Sequence, residues 1–497
     1  MTETGTAKTQ PPKKEMPPFW VLSTYFAEGF PYSLVIQIST VFFKDYGASL
    51  QAVGLTALYR LPWVLKFLWA PLADAYATKR FWLLLTEAAL VFGALVMALA
   101  CSLPQALAVG SVVFLLLAFL SASQDIAVDG FYLEALDKTR QARFVGYQAM
   151  AYRLALIAGG GGIVAFSGLT GWAAAYALAA AVLALLFAFH WFSLPRIETP
   201  RRPLRSLATD LAAPRRLPWL ALCAVLAAAA LWCWRSPAAA GLFAPVRPAF
   251  AKLGVPGTIT LILLLALVVL LLNLRRIKRR MEGSDSLYAR AFVDWLDQPR
   301  VGVILAFLCT YRTGESFLQA MVYPMLKDVG VTRAQYGLVY GTFGIAASIA
   351  GAILGGHLIG KYGLRRAIWP LVVAQNVPNL LYALLAYVYR DVAGKAGSGG
   401  ADLRAVGVFV VLEAFGAGLG TAAFMVFIQR TCKASFKAAH FAVATSIMNI
   451  STTLAGVFSG FLAAWLGWTA FFLFTFAATF PSMLLVPFLP QLERTKR

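Results

Sequence analysis

The sequence predicts an all-α integral membrane protein with 14 spans, arranged as two six-helix bundles with two additional helices between them. Three observations carry this reading. Of 497 residues, 60 % are hydrophobic and 13 % charged, with a mean hydropathy of +0.72, whereas soluble domains carry about 25 % charged residues. The apolar residues fall in unbroken blocks of roughly the 20 residues that a helix needs to cross the hydrocarbon core, unlike the short alternating strands of a β-barrel. Lys and Arg gather in alternate loops, as a correct set of spans requires.

Residues 1–18 form a polar, Pro-rich cytoplasmic tail. The next segment is far longer than a signal-peptide core and shows no obvious small-residue cleavage site, so it is expected to remain as an anchor. Six spans are expected near 19–43, 51–73, 81–101, 105–130, 144–167 and 171–194, which makes 19–194 the first bundle. The linker 195–299 is basic and carries two weaker apolar runs, 217–234 and 257–274, with arginines and lysines on both flanks. A second bundle over 300–489 holds spans near 300–326, 334–360, 366–388, 403–429, 438–465 and 467–489, and 490–497 form a second cytoplasmic tail.

With both termini inside the cell, 30 of the 43 basic residues lie on the cytoplasmic side and nine outside, leaving Arg60, Lys66, Arg153 and Arg312 within spans. This topology accounts for the net charge of +21 through attraction to anionic lipid headgroups, so no nucleic-acid partner is needed. The five cysteines and three histidines are scattered without disulfide or metal-ligand spacing, and no metal is expected. The run Gly159 to Gly162 lacks the Lys-Ser/Thr of a phosphate loop and reads as close helix packing. No loop is long enough for a soluble catalytic domain, so the chain is not expected to be an enzyme.

The two sets of six spans look like repeats. After the second span comes Ala70-Pro71-Leu72-Ala73-Asp74-Ala75-Tyr76-Ala77-Thr78-Lys79-Arg80, and 286 residues on comes Gly356-His357-Leu358-Ile359-Gly360-Lys361-Tyr362-Gly363-Leu364-Arg365-Arg366. Both resemble the G-x-L-x-D-x-x-G-x-[RK]-[RK] loop of the major facilitator superfamily, the first without its glycines and the second without its Asp. Asp74, Lys79, Arg80, Arg365 and Arg366 are the candidate gating-loop residues. Such repeats point to two halves around a central cavity.

Charged residues within spans are costly unless they face a partner or a wet cavity. At 1.5 Å per residue, Glu28, Lys66, Asp125 and Arg153 all fall roughly 8–14 Å from the cytoplasmic ends of their helices. Ser121, Asp125 and Asp129 recur every fourth residue and line one helix face, with Gln124 beside it. In the second half Arg312 and Glu315, followed by Gln319, make a second network with Glu413. These groups serve either as structural ion pairs or as machinery. In the second case an acid such as Asp125, Glu28 or Glu315 exchanges a proton while Arg60, Arg153 or Arg312 holds an anionic substrate, Arg60 lying nearest mid-membrane.

At these residues the chain is similar to a narrower family. Lys66-Phe67-Leu68-Trp69-Ala70-Pro71-Leu72-Ala73-Asp74, Ser121-Ala122-Ser123-Gln124-Asp125-Ile126-Ala127-Val128-Asp129 and Tyr152-Arg153-Leu154 resemble the AmpG-like muropeptide permeases. Tyr311-Arg312-Thr313-Gly314-Glu315-Ser316-Phe317 and the stretch from Glu413 to Phe424 continue the likeness, which covers about four-fifths of the chain. The resemblance implies an inner-membrane importer of GlcNAc-anhydroMurNAc-peptides by alternating access, driven by the proton gradient and without a cofactor. Trp63, Trp69 and Tyr152 are candidates for sugar rings, and Gln124, Gln375, Asn376 and Asn449 for polar groups. The run Gln124 to Gly130 is equally similar to acetyl-CoA transporters, so acetyl-CoA or another small organic solute is the alternative cargo. The partners expected are a small-molecule substrate and the lipid bilayer, and the chain is expected to act as a monomer.

Overall fold

The computed structural model of the chain describes residues 18–66, 69–196, 287–391, 401–433 and 437–492, with scattered positions between 202 and 282. Every regular element among them is a helix. Eleven of these helices are long and apolar enough to cross a membrane. Five lie before the linker: α1 (Phe19–Asp45), then α3 (Lys79–Ala100), α4 (Ala106–Ala135), α5 (Tyr147–Thr170) and α6 (Trp172–Ser193), with residues 50–75 between the first two designated α2. A short helix α7 (Leu287–Leu296) ends the linker. Six more follow: α8 (Val301–Asp328), α9 (Arg333–Tyr362), α10 (Leu364–Val388), α11 (Leu403–Arg430), α12 (Val443–Leu466) and α13 (Trp468–Phe488).

The span expected over 51–73 is described except at residues 67 and 68 and is not one regular α-helix. Residues 50–75 are helical in pieces: Leu50–Leu55, a 3-10 turn over Thr56–Arg60, then Leu61–Leu65 and Ala70–Ala75. Pro62 and Pro71 lack the N–H that a continuous ladder needs, and the tighter 3-10 turn ends at Arg60. The fourth span also runs five residues beyond its expected end, to Ala135 before the extended Leu136. Of the two runs expected within the linker, 217–234 lies outside the described residues. The run 257–274 is described only at scattered positions, which are helical.

Two other helices are interrupted where polar groups must be placed. In α8 the helix stops at Thr310 and restarts at Thr313, with Arg312 at φ −98° and ψ 4° between the pieces. The break puts Glu315 in the first turn of the new helix, where the N-terminal dipole favours an anion. In α10 the break falls between Asn376 and Asn379, at Val377 and Pro378.

Apolar packing is divided unevenly. At the end of the molecule where α1 and α8 finish, one continuous core joins helices from both sides of the linker, with Phe42, Phe114 and Tyr176 from the first set and Tyr323, Val339 and Phe472 from the second. At the opposite end there are two separate cores, one around Leu83, Phe131 and Phe144 and the other around Phe307, Ile368 and Phe427. The two sets are therefore joined at one end and part toward the other.

Glycines make the joined end possible. The run Gly159–Gly162 falls in a π-helical stretch of α5, Ile157–Ile163, and faces a second π-helical stretch of α9, Val339–Gly344. A Cβ on Gly341 would stand 2.3 Å from the carbonyl oxygen of Gly160, and one on Gly460 would stand 2.0 Å from that of Leu50. These backbones touch because no side chain separates them.

The two matching loops share geometry as well as sequence. Ala77 and Gly363 occupy the same loop position and both have positive φ, 52° and 76°. Linker residue Arg202 docks on the first loop: its carbonyl accepts from the Ala77 N–H at 3.0 Å and its own N–H reaches the carbonyl of Ala75 at 3.2 Å. Arg80 donates to the carbonyl of Trp191 at 2.6 Å, and buried Lys79 packs over Gly130. Arg365 and Arg366 are exposed, and the side chain of Asp74 lies outside those described.

Candidate functional site

Where the two helix sets part, a cavity of about 570 Å³ lies between them. It is lined by Tyr25 and Glu28 of α1, Gln148, Tyr152 and Arg153 of α5, Ser348 of α9 and Thr421 of α11. Both sets therefore contribute polar groups to one space, of the size that small-molecule sites have.

Behind the first wall sits a carboxylate cluster. Carboxylate oxygens of Glu28, Asp125 and Asp129 lie within 4.8 Å of one another. The four-residue spacing on α4 brings the two aspartates to one face, and α1 crosses that face at Glu28. Lys66, from the broken α2, pairs with Asp125, and the Tyr25 hydroxyl donates to Asp129 at 3.1 Å. The spacing would suit a cation, yet an ammonium and a phenol of the chain itself already serve two of the three acids. Glu28 Oε2 is buried and has no hydrogen-bond partner among the described residues.

Arg153 is not the partner of Asp125. It lines the cavity, and among the described residues no hydrogen bond or ion pair engages it. Arg60 projects instead toward the other helix set, with Nη1 3.4 Å from Thr452 Oγ1 and a buried Nε that no acceptor meets. Tyr152 extends an aromatic group along the cavity wall: Tyr32 lies 5.9 Å from it and packs edge-on against Trp63 at 5.0 Å. Trp69 is held elsewhere, donating to Ser123 at 3.1 Å.

On the other wall, Glu315 is fully committed. It accepts from Arg312 at 2.7 Å, Gln319 at 2.8 Å and Gln375 at 3.2 Å. Arg312 also reaches Thr421 Oγ1 at 3.3 Å, which ties this network to the cavity lining. Glu413 is buried on α11 and joins none of these four bonds. Asn376 is buried, and neither it nor Asn449 lines the cavity.

Several groups escaped the sequence reading. Glu87 and His190 are both buried and bonded at 2.6 Å, His190 also meets Ser23 at 2.9 Å, and Gln124 donates to Glu87 at 3.4 Å. Gln124 thus faces a buried network and not the cavity. Nothing in the linear order of Ser23, Glu87, Gln124 and His190 announces that four helices meet there. Gln148, Ser348 and Thr421 were equally silent, being single polar residues in apolar surroundings.

Two apposed helix sets, joined at one end and flanking toward the other a cavity to which both contribute polar groups, define a secondary transporter of the membrane. The comparisons agree with that class. Residues 303–497 match the model of the Major Facilitator Superfamily, and residues 28–233 match that of the BT1 family. In fold, a peptide transporter POT in complex with sulfate is similar with a TM-score of 0.65 at 14 % identity, covering 95 % of this chain and 94 % of its own. A nucleoside transporter is similar with a TM-score of 0.58 at 12 % identity, covering 96 % of this chain and 99 % of its own.

The chain as a whole resembles the AmpG-like permeases. It is 25 % identical to the anhydromuropeptide permease of Escherichia coli K12 over 93 % of this chain and 77 % of that one. An uncharacterized protein of Haemophilus influenzae is 26 % identical, over 93 % of this chain and 91 % of its own. A putative transporter AmpG 2 of Rickettsia felis is 30 % identical, over 40 % of this chain and 46 % of its own.

Proposed function

We propose that the chain is a proton-coupled importer of muropeptides, GlcNAc-anhydroMurNAc-peptides, in the bacterial inner membrane. The observation that carries the reading is the lining of the cavity: a cation with no partner among the described residues, Arg153, beside the acid Glu28, the aromatic Tyr152 and the hydrogen-bonding groups of Gln148, Ser348 and Thr421. A peptide carboxylate suits Arg153, a sugar face suits Tyr152, and amide and hydroxyl groups of the disaccharide suit the rest. The resemblance to an anhydromuropeptide permease supports the same cargo.

Coupling is assigned to Glu28, Asp125 and Asp129. Three carboxylates beside the single ammonium of Lys66 offer a place for a proton, and Glu28 connects that place to the cavity wall. Binding of substrate at Arg153 and of a proton at this cluster together permit the two halves to change which end is open. The helix count proposed is two bundles of six, 19–194 and 300–489, with α2 as the second span of the first despite its breaks. Two further spans within 195–299, both termini in the cytoplasm and action as a monomer complete the proposal.

Uptake of labelled GlcNAc-anhydroMurNAc-peptide into cells that lack their own permease tests this. Accumulation that depends on the chain and is abolished by a protonophore is the expected result. Absence of accumulation, with the protein present in the membrane, overturns the assigned cargo.

A further inference from the structure

At the joined end the chain repeats itself in a second place. Lys44-Asp45-Tyr46-Gly47-Ala48-Ser49 closes α1, and Lys327-Asp328-Val329-Gly330-Val331-Thr332 closes α8. Both glycines turn with positive φ, 78° and 92°. Ser49 and Thr332 each cap the helix that follows, accepting from the N–H of Ala52 at 3.2 Å and of Gln335 at 3.3 Å. The two copies therefore have the same shape and present the same cation and anion.

They bind each other crosswise. Lys44 Nζ lies 2.8 Å from Asp328 Oδ1, and Lys327 Nζ lies 2.9 Å from Asp45 Oδ1. Each aspartate also receives an indole N–H from a Trp that follows a positive-φ glycine: Trp172 to Asp45 at 2.9 Å and Trp468 to Asp328 at 3.1 Å. Two contacts break the symmetry, the first being a bond from Lys327 Nζ to the carbonyl of Lys44 at 3.2 Å. In the second, Arg333 places Nη1 2.9 Å from Asp45 Oδ2, with its guanidinium 5.4 Å above the Trp172 ring. The side chains of Lys44, Asp45, Lys327, Asp328 and Arg333 are between 16 % and 34 % exposed, so these pairs are less screened than open surface pairs.

We propose that the two Lys-Asp turns form a reciprocal latch that holds this end of the transporter shut, with Asp45 as its principal anion. Opening at this end separates both crossed pairs at once, because each turn contributes one half of each pair. The latch is two-state for that reason: once one pair parts, the rigid turn carries the other apart. A substrate approaching from this end is admitted only in the unlatched state, whatever the substrate is, so the inference is independent of the cargo assigned above.

Hydrogen exchange followed by mass spectrometry on the full chain in detergent, without substrate, tests the latch. Asp45→Asn leaves Lys327 and Arg333 facing a neutral group. Exchange over residues 44–50, 157–168, 327–334 and 337–344 is expected to rise about tenfold as the unlatched state gains population. Lys44→Asp sets an acid against Asp328 and is expected to act alike, and adding Asp328→Lys restores the crossed pair, though not the acceptor of the Trp468 indole, and is expected to bring exchange back down most of the way. Unchanged exchange in both single variants overturns the latch, as does a double variant no better protected than Lys44→Asp. A rise that extends equally to the core at the other end, residues 304–308 and 419–428, means general destabilisation and also overturns it.

Discussion

Ala77 and Gly363 stand 286 positions apart in sequence and both turn with positive φ at the same point of two matching loops, 52° and 76°. The repeat thus extends to the sign of one backbone dihedral angle. One copy meets the demand with glycine and the other with an alanine that bears the strain, because a Cβ crowds the neighbouring carbonyl at positive φ.

Ala77→Gly is expected to stabilise the protein by about 1 kcal/mol, the cost of one left-handed alanine. Gly363→Ala is expected to destabilise it by roughly 1–3 kcal/mol, since φ 76° with ψ 152° is a region open almost only to glycine. Melting temperatures of the two variants in detergent should move in opposite directions.

The Lys66–Asp125 pair supports a second prediction. Asp125→Ala and Lys66→Ala should each lower stability by about 1–3 kcal/mol, because the first removes the acid that pairs with Lys66 and the second leaves three neighbouring carboxylates without their cation. The double variant should lose less than the sum of the two. Additive losses would show that the pair does not act as a unit. Asp125→Asn should abolish proton-driven accumulation in a folded, inserted protein; full uptake would remove Asp125 from the coupling path.

Among the described residues Arg153 has no internal partner, so its removal is expected to cost the fold little and the ligand much. Arg153→Ala should weaken binding of an anionic cargo by about tenfold or more, the share of a charge-assisted hydrogen bond. An amidated cargo should bind the variant and the parent alike. Equal loss for both ligands in competition assays would assign Arg153 a structural role.

Gly341→Ala places a Cβ 2.3 Å from the carbonyl oxygen of Gly160, so α5 and α9 must move apart. Gly356→Ala on the same helix meets nothing within 4 Å. Transport should fail in the first and persist in the second, at equal amounts of protein in the membrane. Equal uptake by both would show that close approach at Gly341 is not needed for closure.

The helical spans were legible because a bilayer punishes any long stretch that is not both apolar and internally hydrogen-bonded. That constraint is local, so α3, α6 and α11 end within a few residues of their expected limits, at Ala100, Ser193 and Arg430. It also exposed Glu28, Lys66, Asp125, Arg153, Arg312 and Glu315 as residues that must meet something. The latch was written in the chain too, as two copies of Lys-Asp-x-Gly-x-Ser/Thr, but a charged turn at a helix end looks ordinary until the two copies are seen to touch.

Which charges meet was decided only by packing. Lys66 reaches Asp125 because α2 packs beside α4, while Arg153, four residues before the π-helical stretch Ile157–Ile163 of α5, faces the cavity with no partner among the described residues. Glu87 and His190, 103 positions apart, become neighbours because α3 and α6 pack together. Spacing along one helix specifies a face, whereas a partner on another helix depends on the rotation, tilt and breaks of both, and those follow from contacts summed over the whole core. The chain order therefore determined what had to be buried and where the spans run, and the tertiary packing decided which burial became a bond, which a network and which an open cavity wall.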